Sequence, residues 1–176
     1  GKRDRVQQEL IAKVNPENKQ GTFADAVKGA DVLIGCSAPG VFNVEAIKTM
    51  NDKSIVFGMA NPVPEIMYEE AKEKGVYIYG SGRSDMPNQV NNSSVFPGLF
   101  RGALDVRARQ INEEMKLAAA HALADLAIHS GKLDPDHVVV DVFDPQVPFA
   151  VAKAVAKAAI ASGVARATEL PEKYRD

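Results

Sequence analysis

Two rhythms of apolar positions alternate along the first half of the chain. Residues 31–35, 54–58 and 76–79 are short, continuous apolar runs, the pattern of strands buried on both faces. Between them, apolar residues recur every three or four positions, as in helices with one buried stripe. Residues 3–14 predict an amphipathic helix, with Val6, Leu10, Ile11 and Val14 on one face, broken by Asn15-Pro16. Thr22 predicts the cap of a short helix ending at Gly29, and Asn43 that of another running through Val44, Ile47 and Met50. A helix over 65–74 is closed by Gly75. Strands separated by helices imply parallel βαβ units with right-handed crossovers.

After a polar loop over 80–92 the chain turns helical. Helices are predicted over 97–108, with Pro97 near its start, over 112–129, capped by Asn112, and from Asp144-Pro145 to 162. Val138-Val139-Val140 predicts a short strand or extended segment, and 163–176 a surface tail. The predicted class is α/β: a partial Rossmann-like, doubly wound parallel sheet of about three strands, followed by carboxyl-terminal helices.

Composition narrows the function without naming it. A chain of 176 residues, 45% apolar and 25% charged, suits one globular domain. With 21 basic and 23 acidic side chains the net charge is −2, which leaves no electrostatic footprint for nucleic acid. A lone cysteine, Cys36, excludes an internal disulfide framework and suits a reducing cytoplasm. No apolar run long enough to span a membrane occurs, and the polar start Gly1-Lys2-Arg3-Asp4-Arg5 is no signal peptide.

Candidate chemistry gathers at the strand ends. Asn61 follows the second strand and Asn91-Asn92 follow the third, at the edge where parallel sheets bind ligands. A carboxamide offers two donors and an acceptor without charge, suiting a carboxylate, hydroxyl or carboxamide. Pro62 holds Asn61 extended and aims its side chain. Asn-Pro and Pro-Asn pairs also serve as ordinary turn chemistry, so each motif alone admits both readings. After the first strand, Ser37-Ala38-Pro39-Gly40 lets a ring or phosphate approach the backbone, and is equally compatible with a plain turn. Gly80, Gly82 and their neighbours lack GxGxxG spacing, and no such fingerprint occurs in the chain. Residues 1–176 therefore read as the carboxyl-terminal part of a dinucleotide-binding domain whose first strand and phosphate loop are absent.

Other polar residues read as structural. His121, His129 and His137 share no metal-ligand spacing, and Asp141 with Asp144 forms no metal motif. Cys36 reads as a packing residue at a buried strand end. Glu113 and Glu114 read as first-turn helix charges, and Arg101, Arg107 and Arg109 as a solvated face.

Three stretches together resemble the bacterial-type malic enzymes: Ala60-Asn61-Pro62-Val63-Pro64-Glu65-Ile66, residues 82–92 (GRSDMPNQVNN) and residues 96–108 (FPGLFRGALDVRA). Ile111-Asn112-Glu113-Glu114-Met115-Lys116 and Phe143-Asp144-Pro145 extend the resemblance over nearly the whole chain. It implies oxidative decarboxylation of L-malate to pyruvate with NAD or NADP and Mg²⁺ or Mn²⁺, in a cytoplasmic homodimer. It implies that Ser37, Ala38, Pro39, Gly40, Asn61 and Asn91 line the cofactor site, and that Asn61, Asn91 and Asn92 meet the substrate. Neighbours in extended chain point opposite ways, so one of Asn91 and Asn92 faces malate. The family's catalytic Tyr and Lys and its acidic metal ligands precede the matching segment, so no catalytic or metal-ligating residue is expected within 1–176. An upstream amino-terminal half is the expected partner. Gly80-Ser81 stands where Ala-Thr is usual, and Ser93-Ser94 where more apolar residues are usual. A non-catalytic nucleotide-binding module and a malolactic-type relative are the alternatives. Cofactor preference is read after the second strand of such domains, at or before residue 1; Lys2, Arg3 or Arg5 could reach a 2′-phosphate or simply be solvated.

Overall fold

The computed structural model describes residues 5–175. Three strands, β1 (Val32–Gly35), β2 (Ile55–Gly58) and β3 (Ile78–Ser81), form one parallel sheet in the order β1-β2-β3. Their register aligns Leu33, Val56 and Tyr79 on one face. That row packs on Phe42, Ile47, Ile66, Ala71 and Val76 from the helical side. The layer there is made by α2 (Phe23–Val27), α3 (Val44–Ile47) and α4 (Tyr68–Glu73). The expected caps are in place: Thr22 and Asp25 exchange side-chain and backbone hydrogen bonds around the start of α2, and Asn43 accepts from Glu45 and Ala46 N–H.

Four expectations shift. First, β1 is not buried: it pairs on one side only, and Val32 and Ile34 are 49% and 62% exposed. Second, α4 begins at Tyr68 rather than 65, because residues 64–66 are drawn to the sheet edge by hydrogen bonds described below. Third, β3 starts two residues late: Val76 N–H still bonds to Ala71 at the end of α4, so sheet pairing begins at Ile78. Fourth, 138–140 forms no strand; Val138 N–H is taken by the side chain of Asn88. The first helix, α1 (Arg5–Val14), appears where expected, although the predicted residues 3 and 4 lie outside the described ones. Its Val6, Leu10 and Val14 are exposed.

The second half is a separate helical layer with its own core. Helix α7 (Gln146–Ala161) packs against both α5 (Gly98–Asp105) and α6 (Glu113–His129), through Val147, Val151, Ala152, Val155, Ala156 and Ala159. Asn112 caps α6 by accepting from Met115 N–H. The approach of α5 to α7 is close enough to demand glycine. A Cβ on Gly102 would lie 2.4 Å from the Ala152 carbonyl oxygen, and one on Gly98 2.8 Å from that of Pro148.

The tail is not a loose surface segment. Tyr174 is 2% exposed, meets the Phe149 ring at 5.5 Å with the two planes tilted by 60°, and donates its hydroxyl to Asp105 at 2.7 Å. Lys173 (2.6 Å) and Arg101 complete the ring of donors on Asp105, so Arg101 is paired rather than merely solvated. Burial alone would raise the Asp105 carboxyl, but Arg101, Lys173 and Tyr174 outweigh it and hold it well below the usual range. A terminal stretch of ordinary polarity thus hides a Tyr held by this carboxylate and by the core of the helical layer.

Gly102→Ala should destabilise the chain by roughly 1–3 kcal/mol, since the clash is with backbone and the helices must separate. Urea unfolding checks this; an unchanged midpoint would contradict the packing described.

Candidate functional site

Gly35, Gly58 and Ser81 are register partners, so the three strands end on one line. The loops that carry the nominated polar residues leave the sheet from this line. The first two loops are stitched together there: Met59 N–H donates to Gly35 O, Gly40 N–H to Pro64 O and Phe42 N–H to Glu65 O.

At the centre of the stitching is a residue that sequence reasoning assigned to a helix. The Glu65 side chain is fully buried. One carboxylate oxygen accepts from Ser37 N–H at 2.7 Å and from the Ser37 hydroxyl at 3.1 Å; the other accepts from Ala60 N–H at 2.9 Å. The carboxylate lies where side chains on the strand ends would stand: a Cβ on Gly35 would come within 2.6 Å of Glu65 Cδ. Burial pushes the Glu65 carboxyl up, but the Ala60 and Ser37 donors more than reverse it, leaving the group ionised below the ordinary Glu range. The signal available in the sequence was the pair Gly35 and Gly58, each at a strand end and each without a side chain to fill the crest.

The third loop is tied differently. Val90 N–H donates to Ser81 O at 2.7 Å and Ser81 N–H to Asn88 O, extending the sheet edge by one parallel bridge between Ser81 and Gln89. Asn88 is buried in a left-handed conformation, with φ 53°, which asparagine tolerates better than most residues. Its amide nitrogen donates to Tyr79 O and Pro135 O, and its oxygen accepts from Val138 N–H. Asn88 therefore roots the loop and is a second residue the sequence reading missed. Arg83 reaches back to the Asn61 loop, donating to Pro62 O at 3.4 Å while held by Asp85.

The nominated residues are exposed at this edge: Ser37, Ala38, Pro39, Gly40, Asn61, Asn91 and Asn92. Asn91 spends its side-chain oxygen on Ser93 N–H, capping the short turn Asn92–Ser94. The amides of Asn61 and Asn92 have no partner among the described residues. Cavities of about 580, 300 and 250 Å³ lie among the carboxyl-terminal helices and the segments beside them, and these are not lined by the asparagines. The edge is a rim open to solvent. Cys36 is exposed on it rather than packed, because it stands one residue beyond the end of the outermost strand.

His129 and His137 line one cavity of about 580 Å³ with Asp141 and Asp144, while His121 does not line it. His129 Nδ1 lies 2.7 Å from Asp125 O, and His137 Nδ1 2.9 Å from the Asp134 carboxylate. Among the described residues no group of three or more His, Cys, Asp or Glu could hold a metal ion. No helix among them is long and apolar enough to cross a membrane. Ser94, one of the departures from the family pattern, is buried, with its hydroxyl unpartnered among the described residues.

A parallel sheet whose strand ends carry small-residue and amide-bearing loops defines a Rossmann-type nucleotide-binding domain. Residues 4–160 match the family model described as "Malic enzyme, NAD binding domain", and the chain belongs to that family. It is 51% identical over 171 residues to a bifunctional malic/malolactic enzyme of Bacillus subtilis, covering 97% of this chain and 42% of that protein. It is 50% identical over 164 residues to an NAD-dependent malic enzyme of Geobacillus stearothermophilus, covering 93% and 34%. A crystal structure of Entamoeba histolytica malic enzyme superposes with a TM-score of 0.86 at 49% identity, over 91% of this chain and 33% of that one. The chain thus spans less than half the length of the relatives it matches.

Two substitutions test the site's construction. Glu65→Gln, which presents an NH₂ to one of two backbone donors, should cost roughly 1–3 kcal/mol at pH 7. Because the folded carboxyl titrates below its unfolded value of about 4.3, that difference should be full above about pH 5 and shrink as pH falls through the folded value. Denaturant unfolding at several pH values measures it, and a difference growing in acid would be contrary. Ser94→Ala should stabilise by roughly 1 kcal/mol, since a buried hydroxyl without a partner is removed; a lower melting temperature would show that the hydroxyl has a partner after all.

Proposed function

We propose that this chain supplies the cofactor-binding part of a malic enzyme that oxidises L-malate with NAD or NADP and decarboxylates it to pyruvate. The observation that carries the reading is the rim: two ligand loops joined at one buried carboxylate, with the amides of Asn61 and Asn92 uncommitted beside them. In that role Ser37 to Gly40 let the dinucleotide lie against the backbone, where no large side chain stands in the way. A dinucleotide held there would supply the acceptor for the hydride of malate C2. Asn61, aimed by Pro62, donates toward the nicotinamide end and the substrate, and fixes their relative approach. Of the adjacent pair, Asn92 is the substrate contact, because Asn91 is occupied as a cap and shapes the turn that presents its neighbour.

In this reading proton transfer and the Mg²⁺ or Mn²⁺ site belong to an amino-terminal half of the enzyme. The working form in this reading is a cytoplasmic homodimer.

The purified 176-residue chain should show no malate oxidation with NAD⁺ or NADP⁺ and Mn²⁺, whereas the full-length enzyme should. Within the latter, Asn92→Ala should raise KM for malate by about 10-fold or more, the loss of a buried substrate hydrogen bond, while Asn91→Ala acts less. Turnover by the chain alone, or tight NAD⁺ binding by it in calorimetry, would point instead to a self-sufficient module. Lactate as the product would point to malolactic chemistry.

A further inference from the structure

A buried carboxylate is an expensive way to hold two loops together. Neutral donors alone satisfy Glu65: Ser37 N–H and hydroxyl on one oxygen, Ala60 N–H on the other. The two oxygens of a carboxylate are rigidly spaced and coplanar, so the loop after β1 and the loop after β2 are referenced to a single planar group. Its seat is specific: the bare strand-end glycines Gly35 and Gly58 leave the space it fills, and Pro64 and Ile66 on either side are held by Gly40 N–H and the Tyr79 hydroxyl. In the reading above, the first loop carries Ser37 to Gly40, which meet the dinucleotide, and the second carries Asn61, one residue beyond Ala60, which meets the substrate and the nicotinamide end.

Resting on the malic-enzyme reading above, we propose that Glu65 is a positioning residue that couples the cofactor loop to the substrate loop, so that occupation of one orders the other. The physical basis is shared entropy. A ligand that immobilises Ser37 immobilises the carboxylate, and through it the Ala60 amide, so the second ligand finds its loop already ordered. Such coupling is reciprocal: cofactor tightens substrate by the same factor as substrate tightens cofactor. A contact that merely stabilised the fold would not change that factor.

The test measures the coupling itself in the full-length enzyme, with NAD⁺ and with oxalate, a dicarboxylate that cannot be oxidised by hydride loss. Each dissociation constant is determined in the absence and presence of the other ligand. Wild type should show mutual tightening of roughly 5-fold or more, the ordinary range for linked sites. In Glu65→Gln that factor should fall toward unity, with helix content retained. A folded Glu65→Gln enzyme with undiminished coupling overturns the proposal while leaving the malic-enzyme reading intact. Should the variant not fold, hydrogen exchange on wild type decides: NAD⁺ alone should slow exchange at the Ala60 amide, and oxalate alone at the Ser37 amide. Absence of this cross-protection overturns the strut. A wild-type enzyme that binds neither ligand overturns the functional reading and, with it, this one.

Discussion

The site depends on one constraint: a carboxylate taken out of water must find its hydrogen bonds inside the protein. Glu65 finds them on two neighbouring loops, and the strand ends are glycine where its oxygens must lie. Position follows from that requirement in both directions. The carboxylate cannot leave without stranding a buried charge, and the loops cannot drift without leaving it unsatisfied. The start of α4 is displaced by the same demand, because residues 64–66 are occupied at the rim and only the chain beyond them is free to coil.

The rest of the molecule holds this rim from behind. Leu33, Val56 and Tyr79 bind the sheet to its helical layer, and Tyr79 also donates to Ile66 O, so the core and the loop share a residue. Asn88 performs the corresponding service for the third loop, bonding the last strand to the segment that leads into α7. Helix α7 in turn packs on α5 through backbone-close glycine contacts, and the tail is clasped onto α5 at Asp105. Packed elements therefore surround the loops, and the nominated residues on them, Ser37 to Gly40, Asn61, Asn91 and Asn92, are uncharged, the arrangement expected where orientation of a ligand matters more than its electrostatic capture.

Much of this was legible in the residues. The alternation of apolar runs and 3.6-residue stripes identified three parallel strands and the later helices, and the caps at Thr22, Asn43 and Asn112 stand where short polar side chains precede an apolar stripe. The loops bearing Ser37, Asn61 and Asn91-Asn92 were recognisable because a strand's carboxyl end is a fixed place in this architecture. Less legible was anything that depended on partners distant in sequence. Glu65 fell at the start of a predicted helix, since its partner Ser37 lies 28 residues away. Tyr174 looked like tail, since Asp105 is 69 residues away. Cys36, Val32 and Ile34 looked buried, because an apolar run reports hydrophobicity and not which of its sides has a neighbour.

Local pattern and motif thus determined the class of this protein, the order of its elements and the family to which it belongs, because periodicity, caps and contiguous motifs are properties of neighbours along the chain. Tertiary structure alone decided that a glutamate is the joint between two loops, that Asn88 rather than its successors is buried, and that Asn91 serves as a cap while Asn92 beside it stays exposed. Each of those outcomes is set by which buried polar group reaches which donor across the fold, and that matching exists only once the strands are in register.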